Sequence, residues 1–321
     1  MELGGYFQLE LQKGSEFHPE LIPLNAARNC LDLILDAREF GGIFVPSYTC
    51  EAVFDVLRRR GISTESYIIN ASFEIVNPPK LRDREVLLYT NYFGLKGDYI
   101  KELSKTYSNL IIDNAQAFFC RPLNAVDSFY SCRKFFGVPD GAYLYSSMQL
   151  KNWSNLPQDK SSSFVSHLID RIEKGASAGY TAFRLNEARI DDCRPAKMSV
   201  LTHALLANID YKGIQDIRIR NYHQAHSALM ELNKLNVPGS VDEGPMAYPF
   251  LSHKAGLRNF LIDKGVFVPS YWPNVIQSSS ATPFEKLLAT EMVAIPIDQR
   301  ISSSDLNEII AIIKTYLSRG E

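Results

Sequence analysis

Asp113 and Lys134 are the residues of this 321-residue chain whose types and placing could do chemistry together. The apolar run Leu110-Ile111-Ile112 ends in Asp113, and Gln116 stands three residues on. A second run, Asp127-Ser128-Phe129-Tyr130, leads into Ser131-Cys132-Arg133-Lys134, and Asp140-Gly141 follows. One strand would deliver a carboxylate and the next a lysine flanked by hydroxyl and cationic groups. That set suits pyridoxal phosphate (PLP): the lysine forms the Schiff base, the carboxylate keeps the pyridine nitrogen protonated, and the hydroxyl and cations hold the phosphate. Each residue alone has an ordinary reading. A strand-end aspartate often caps a turn, and most lysines are solvated surface charges. The pair, each behind a strand and about twenty residues apart, favours a site.

The chemistry explains the residue types. A buried carboxylate at salt-bridge distance stabilises the pyridinium. The lysine must be nucleophilic when freed, so burial and a neighbouring cation such as Arg133 are expected to lower its pKa. It then moves the proton between Cα and C4′. Gln116 can hydrogen-bond the ring hydroxyl. For the phosphate, Asn25-Ala26-Ala27-Arg28 opens a helix whose N-terminus is an anion site. Asn25 reads equally as a plain N-cap and as a phosphate contact. Ser131 and Arg133 could add a hydroxyl and a charge. Pro46-Ser47-Tyr48-Thr49-Cys50 ends another strand and could set a side chain over the cofactor ring, although Tyr48 also reads as a core tyrosine. Asn91-Tyr92-Phe93-Gly94 ends the strand before Asp113, so Asn91 belongs to the same edge. No glycine-rich loop supports a dinucleotide or P-loop site. The six histidines show no metal-ligand spacing.

These residues need a scaffold that brings strand ends to one edge. Helices are expected at 26–37, 51–60 (closed by Gly61) and 99–107, and strands at 42–45, 66–69, 85–89, 110–113, 126–130 and 142–145. Short apolar strands alternating with helices argue for an α/β fold, a mostly parallel sheet covered on both faces. Beyond Ser146 the pattern changes. Residues 158–163 read as a loop, 164–174 and 200–233 as helical, with a break near Tyr211-Lys212-Gly213. A strand at 247–251, a helix at 255–264, a strand at 293–297 and a helix at 304–317 make a small α+β lobe. Two domains are expected, 1–205 and 206–321, the second including a connecting helix.

Net charge is −2, which leaves no electrostatic footprint for nucleic acid or anionic membrane. No apolar run approaches the ~20 residues of a membrane span, and no signal peptide is visible at the start. The five scattered cysteines form no C-x-x-C pair and read as reduced thiols of a cytoplasmic protein.

At these residues the chain resembles the DegT/DnrJ/EryC1/StrS family of PLP-dependent sugar aminotransferases, a branch of fold type I. Asn25-Ala26-Ala27-Arg28 sits where the family has its Gly-Thr-x-Ala-Leu helix start, and Val45-Pro46-Ser47-Tyr48-Thr49 matches its V-P-S-x-T turn. Asp113-Asn114-Ala115-Gln116-Ala117 matches D-x-A-Q/H-A. Ser131 to Lys134 with Asp140-Gly141-Ala142 matches S-F-x-x-x-K…E-G-G-A, in a loop two residues shorter than usual. Lys197-Met198-Ser199 resembles N-x-R-M-S, and Ile295-Pro296 resembles the L-P before the last helix. Cys50 stands where the family often has an aromatic ring, and Pro195 where an asparagine reaches the partner subunit.

The resemblance implies a seven-stranded-type sheet, a homodimer, an amino donor such as glutamate and a keto acceptor, possibly a nucleotide-linked sugar. It assigns Lys134 as Schiff-base lysine, Asp113 to the pyridinium, Gln116 to the ring hydroxyl, and Ala26, Ala27, Ser131 and Arg133 to the phosphate. Other PLP chemistry on the same fold, such as a dehydratase or lyase, and a catalytically lapsed binding subunit remain as alternatives. The aromatic loops Tyr92-Phe93 and Tyr271-Trp272 are expected to be exposed and covered by the partner.

Overall fold

The computed structural model describes residues 3–12, 14–148, 150 and 153–318. The chain opens with β1 (Ile22–Leu24), α1 (Ala27–Arg38), β2 (Gly42–Pro46), α2 (Glu51–Arg60) and β3 (Ser63–Tyr67). There follow β4 (Glu85–Thr90), α3 (Gly97–Thr106), β5 (Leu110–Asn114), β6 (Asp127–Ser131) and β7 (Ala142–Tyr145). A helical stretch holds α4 (Ser166–Lys174), α5 (Tyr180–Asp192), α6 (Val200–Leu206) and α7 (Tyr211–Leu229). The last part holds β8 (Tyr248–Phe250), α8 (Leu257–Asp263), α9 (Asn274–Gln277), α10 (Pro283–Glu291), β9 (Val293–Ile295) and α11 (Ser303–Ser318).

The first seven strands form one sheet in the order β1-β7-β6-β5-β4-β2-β3. The pairs from β3 through β2, β4 and β5 to β6 are parallel, whereas β7 runs antiparallel to both β6 and β1. Leu110 to Asn114 are buried throughout, as a central strand covered on both faces requires. On one face Ile111, Leu88, Val45 and Phe129 pack under Leu31, Ile34 and Leu35 of α1 and Val53 and Val56 of α2. On the other, Leu87, Tyr89 and Ile112 meet Ile100 and Leu103 of α3. That second cluster continues without a break through Tyr222 and Leu229 of α7 to Ile295 of β9 and Ile309 of α11.

Helix ends follow local chemistry. Gly61 closes α2 at φ +63°, in the left-handed region where glycine is unstrained. Ser302 Oγ accepts from Asp305 N at 3.1 Å and caps α11. Gly141 has φ +116°, and a Cβ there would come within 3.0 Å of Thr202 Cγ2.

Some expectations need correction. The strand expected at 66–69 lies at Ser63–Tyr67. The break expected at 211–213 falls before α7, because Asp210 accepts from Gly213 N and starts a new helix there. Helix α5 was not foreseen: it buries only Asn186 and Ile190, so no apolar stripe marks it. Among the described residues no helix is long and apolar enough to cross a membrane, and no group of His, Cys, Asp and Glu could hold a metal.

Candidate active site

Successive side chains of a strand alternate between faces. Leu88 and Thr90, Ile111 and Asp113, and Phe129 and Ser131 therefore share the face covered by α1. The apolar rows of β4, β5 and β6 each turn polar at the carboxyl edge, where open α/β sheets bind ligands. Thr90 lies directly beside Asp113 in the β4–β5 register.

Asp113 is only 7% exposed. Its Oδ1 accepts from Ala115 N at 2.8 Å, and it makes no ion pair within 4.0 Å among the described residues. Burial raises its pKa, while the charge of Lys134 and the Ala115 N–H work against the rise. The Cys30 thiol of α1 lies within the influence of that carboxylate, and burial first, then the charge, push its pKa up. Lys134 ends the short 3₁₀ turn Cys132–Lys134 behind β6. It is exposed rather than buried as expected, and makes no hydrogen bond or ion pair among the described residues.

Gln116 is 1% exposed, and its Oε1 accepts from Phe93 N at 3.0 Å. That bond turns the amide nitrogen away. Gln116 Nε2 is buried with no partner among the described residues, as are Thr49 Oγ1, Thr90 Oγ1 and Tyr48 OH. Buried donors are rarely left so. Phe93 itself sits at φ +57°, a costly conformation for a large side chain.

The surroundings of the residues expected to hold the phosphate differ from expectation. Ala26, not Asn25, is the N-cap of α1, and Ala26 and Ala27 present the small side chains and free first-turn amides foreseen. Asn25 donates to Asp159 Oδ2 (3.1 Å) and Arg194 O (3.0 Å) and accepts from Asn29 Nδ2 (2.8 Å), so it stitches α1 to distant segments. Arg28 is held by Asp191 Oδ1 at 2.6 Å. Arg133 pairs with Glu187, and burial pushes its pKa down to about 10 against the charge of Asp191. Both cations are thus engaged by carboxylates of α5. Ser131, two residues before Arg133, is buried and makes no capping bond.

Three further expected residues have these surroundings. The Tyr48 ring packs on Tyr92 (6.0 Å) and edge-on to Trp272 (4.6 Å), so it is a core tyrosine. Cys50 is half-buried at the N-cap of α2 and makes no capping bond. Asn91 belongs to the face opposite Asp113, donating to Asn114 Oδ1 at 2.9 Å and to Cys120 Sγ at 3.3 Å. Asp140 is structural: it accepts from Ser199 N (2.8 Å) and Ser199 Oγ (2.7 Å), bracing the start of α6.

Solved structures match this arrangement along most of its length. A DegT DnrJ EryC1 StrS aminotransferase from Brucella abortus aligns over 93% of this chain and 86% of its own, with 16% identity and a TM-score of 0.63. The sugar aminotransferase CalS13 from Micromonospora echinospora aligns over 92% and 87%, with 14% identity and a TM-score of 0.64. Spr1654 from Streptococcus pneumoniae, in its PLP-form, aligns over 92% and 86%, with 16% identity and a TM-score of 0.66. The chain has their fold. It matches no protein-family model and no curated protein.

The site missed by sequence reasoning is its polar surround. Thr90 carried a signal, since it ends its strand as Asp113 does. Glu187 and Asp191 carried none, lying on a helix without a buried stripe.

Proposed function

We propose that this chain is a PLP-dependent aminotransferase that takes an amino group from an amino acid, glutamate first, and gives it to a keto acceptor such as a nucleotide-linked sugar. One observation carries the reading. A buried carboxylate of raised pKa stands at the carboxyl edge of the sheet within the field of an exposed, unpaired lysine, and three residues on Gln116 carries a buried amide nitrogen with no partner among the described residues. That set fits the pyridine end of the cofactor. The shared fold with a PLP-form protein supports it.

When bound, the cofactor supplies an electron-withdrawing ring that acidifies the C–H beside the amino nitrogen. Asp113 would hold the ring nitrogen protonated, which in turn makes its own ionised form favourable in a buried place. Gln116 Nε2 would donate to the ring hydroxyl. The first-turn amides at Ala26 and Ala27, with Ser131, would take the phosphate. Lys134 would carry the covalent link and, once freed, move the proton.

The test is spectral and chemical. Purified protein should be yellow and lose its colour with borohydride, with the label on the peptide holding Lys134. Glutamate should change the visible spectrum and release 2-oxoglutarate in step, and a keto acid should reverse the change. Ammonia and a deoxy product would favour a lyase instead. The engagement of Arg28 and Arg133 by α5 favours a second reading, a lapsed binding subunit, which binds PLP but gives no spectral response to any amino donor.

A cytoplasmic homodimer is part of the proposal, but its support moves. Tyr92, Phe93 and Trp272 are buried within the chain and Tyr271 is half-buried, so those loops need no partner. Exposed apolar groups stand instead on α4 and α5: Ile169, Ile172, Tyr180, Phe183 and Leu185. Light scattering at micromolar concentration should report about twice 36.2 kDa; a strict monomer that binds PLP tightly would contradict the dimer.

A further inference from the structure

Arg218 of α7 is 2% exposed, yet no carboxylate touches it among the described residues. Burying a guanidinium without a counter-charge is costly, and burial pushes its pKa down to about 10 in spite of the charge on Asp298. Its hydrogen bonds show what it holds. Nη1 donates to the carbonyls of Pro245 (3.0 Å) and Met246 (3.1 Å), and Nη2 donates to Gln299 Oε1 at 2.9 Å. The guanidinium also lies over the Phe135 ring at 4.6 Å.

Two branches leave this centre, and each ends at one pole of the site. On the first, Gln299 Nε2 donates to Phe135 O at 2.9 Å, one residue beyond Lys134. The turn carrying Lys134 is itself closed by Phe135 N and Phe136 N donating to Cys132 O at 3.0 and 2.9 Å. On the second, Met246 N donates to Phe93 O at 2.9 Å, and Phe93 N donates to Gln116 Oε1 at 3.0 Å. A charge-assisted bond at the head of each branch strengthens the amide bonds behind it.

We propose that Arg218 is a positioning residue. Through Gln299 it fixes the turn that presents Lys134, and through Met246 and Phe93 it fixes the amide of Gln116, so one buried cation sets the spacing of both poles. The proposal rests on reading Lys134 and Gln116 as the cofactor contacts. It goes beyond that reading in placing their geometry under control of the C-terminal part of the chain. Displacements of about 1 Å at a reacting group can cost about a hundredfold in rate.

The test separates the branches. Gln299→Glu keeps the contact to Arg218, but an ionised carboxylate cannot donate to Phe135 O. In cofactor-free protein, exchange of the Phe135 and Phe136 amides should then quicken about tenfold or more, with the Phe93 amide unchanged. Arg218→Met should quicken both sets. With PLP added, Gln299→Glu should slow borohydride-trapped labelling of Lys134 about tenfold. It should also lower kcat by a similar factor while the donor KM moves less than about twofold, since binding groups are untouched. A merely structural role would lower the melting temperature and leave that split unmoved. A folded Gln299→Glu with wild-type exchange at Phe135 and Phe136 and wild-type labelling overturns the proposal. Should Arg218→Met fail to fold, Gln299→Glu decides alone. A wild type that never labels at Lys134 sinks the cofactor reading instead, and the cofactor-free exchange data still decide the role of Arg218.

Discussion

Asp113 is held ready for a positive partner that the chain supplies only at a distance, through Lys134. Burial raises its pKa against the opposing charge of Lys134 and the Ala115 N–H. A ring cation arriving beside it would favour the ionised form. Asp113→Asn removes the charge and nearly keeps the shape, so the protein should fold and retain most of its PLP while turnover falls. Losing one partner of a buried ion pair costs about 3–5 kcal/mol, a rate loss of about a hundredfold or more. Single-turnover kinetics with glutamate measures this, and a near-normal rate would remove Asp113 from the role. The places of Asp113 and Lys134 at and behind strand ends were legible in the sequence, because the run before each reads as a strand. The bonds that engage Asn25, Arg28 and Arg133 were not legible, for a physical reason. Arg28 meets Asp191 across 163 positions of chain, and no local pattern reveals which cations a distant helix will neutralise.

Helix α5 engages the two cations proposed for the phosphate. Its Glu187 and Asp191 hold Arg133 and Arg28, so on the proposed reading an incoming phosphate would compete with two carboxylates. Replacing both by Glu187→Gln and Asp191→Asn should tighten PLP binding, by about fivefold if each partly exposed pair contributes about 0.5 kcal/mol. Fluorescence titration checks it; weaker binding would mean that the pairs serve to press α5 onto the site. Other elements divide the same way. Helix α2 has the expected bounds because glutamate opens it and Gly61 ends it. Helix α10 went unread although Thr282-Pro283-Phe284-Glu285 spells a capping box, with Thr282 Oγ1 accepting from Glu285 N at 3.2 Å. The antiparallel course of β7 could not be read, since strand direction depends on connection and not on residue type.

At the scale of the molecule one apolar cluster runs from the sheet to the last helix and includes the aromatic packing around His18. His18 is fully buried, 4.6 Å from the Tyr130 ring, with Nε2 bonded to Phe118 O at 2.7 Å. Burial lowers its pKa from 6.5 to about 4. The unfolded chain thus binds this proton more readily than the folded one, and stability falls as pH drops from about 6.5 towards 4. The loss amounts to about 3 kcal/mol at full protonation. Urea melts at about pH 7 and about pH 4 should show it, and His18→Phe should flatten that part of the profile; an equal slope in the variant would place the acid sensitivity elsewhere. The sheet's two borders carry a different consequence. On one side β1 is three residues long and contains Pro23, which has no N–H to offer. On the other, Ser63, Thr64, Glu65 and Ser66 of β3 are exposed, polar and in part charged. Neither border invites a strand from another molecule, so growth by edge-to-edge pairing, the usual route from a crowded sheet protein to fibrils, is blocked at both ends.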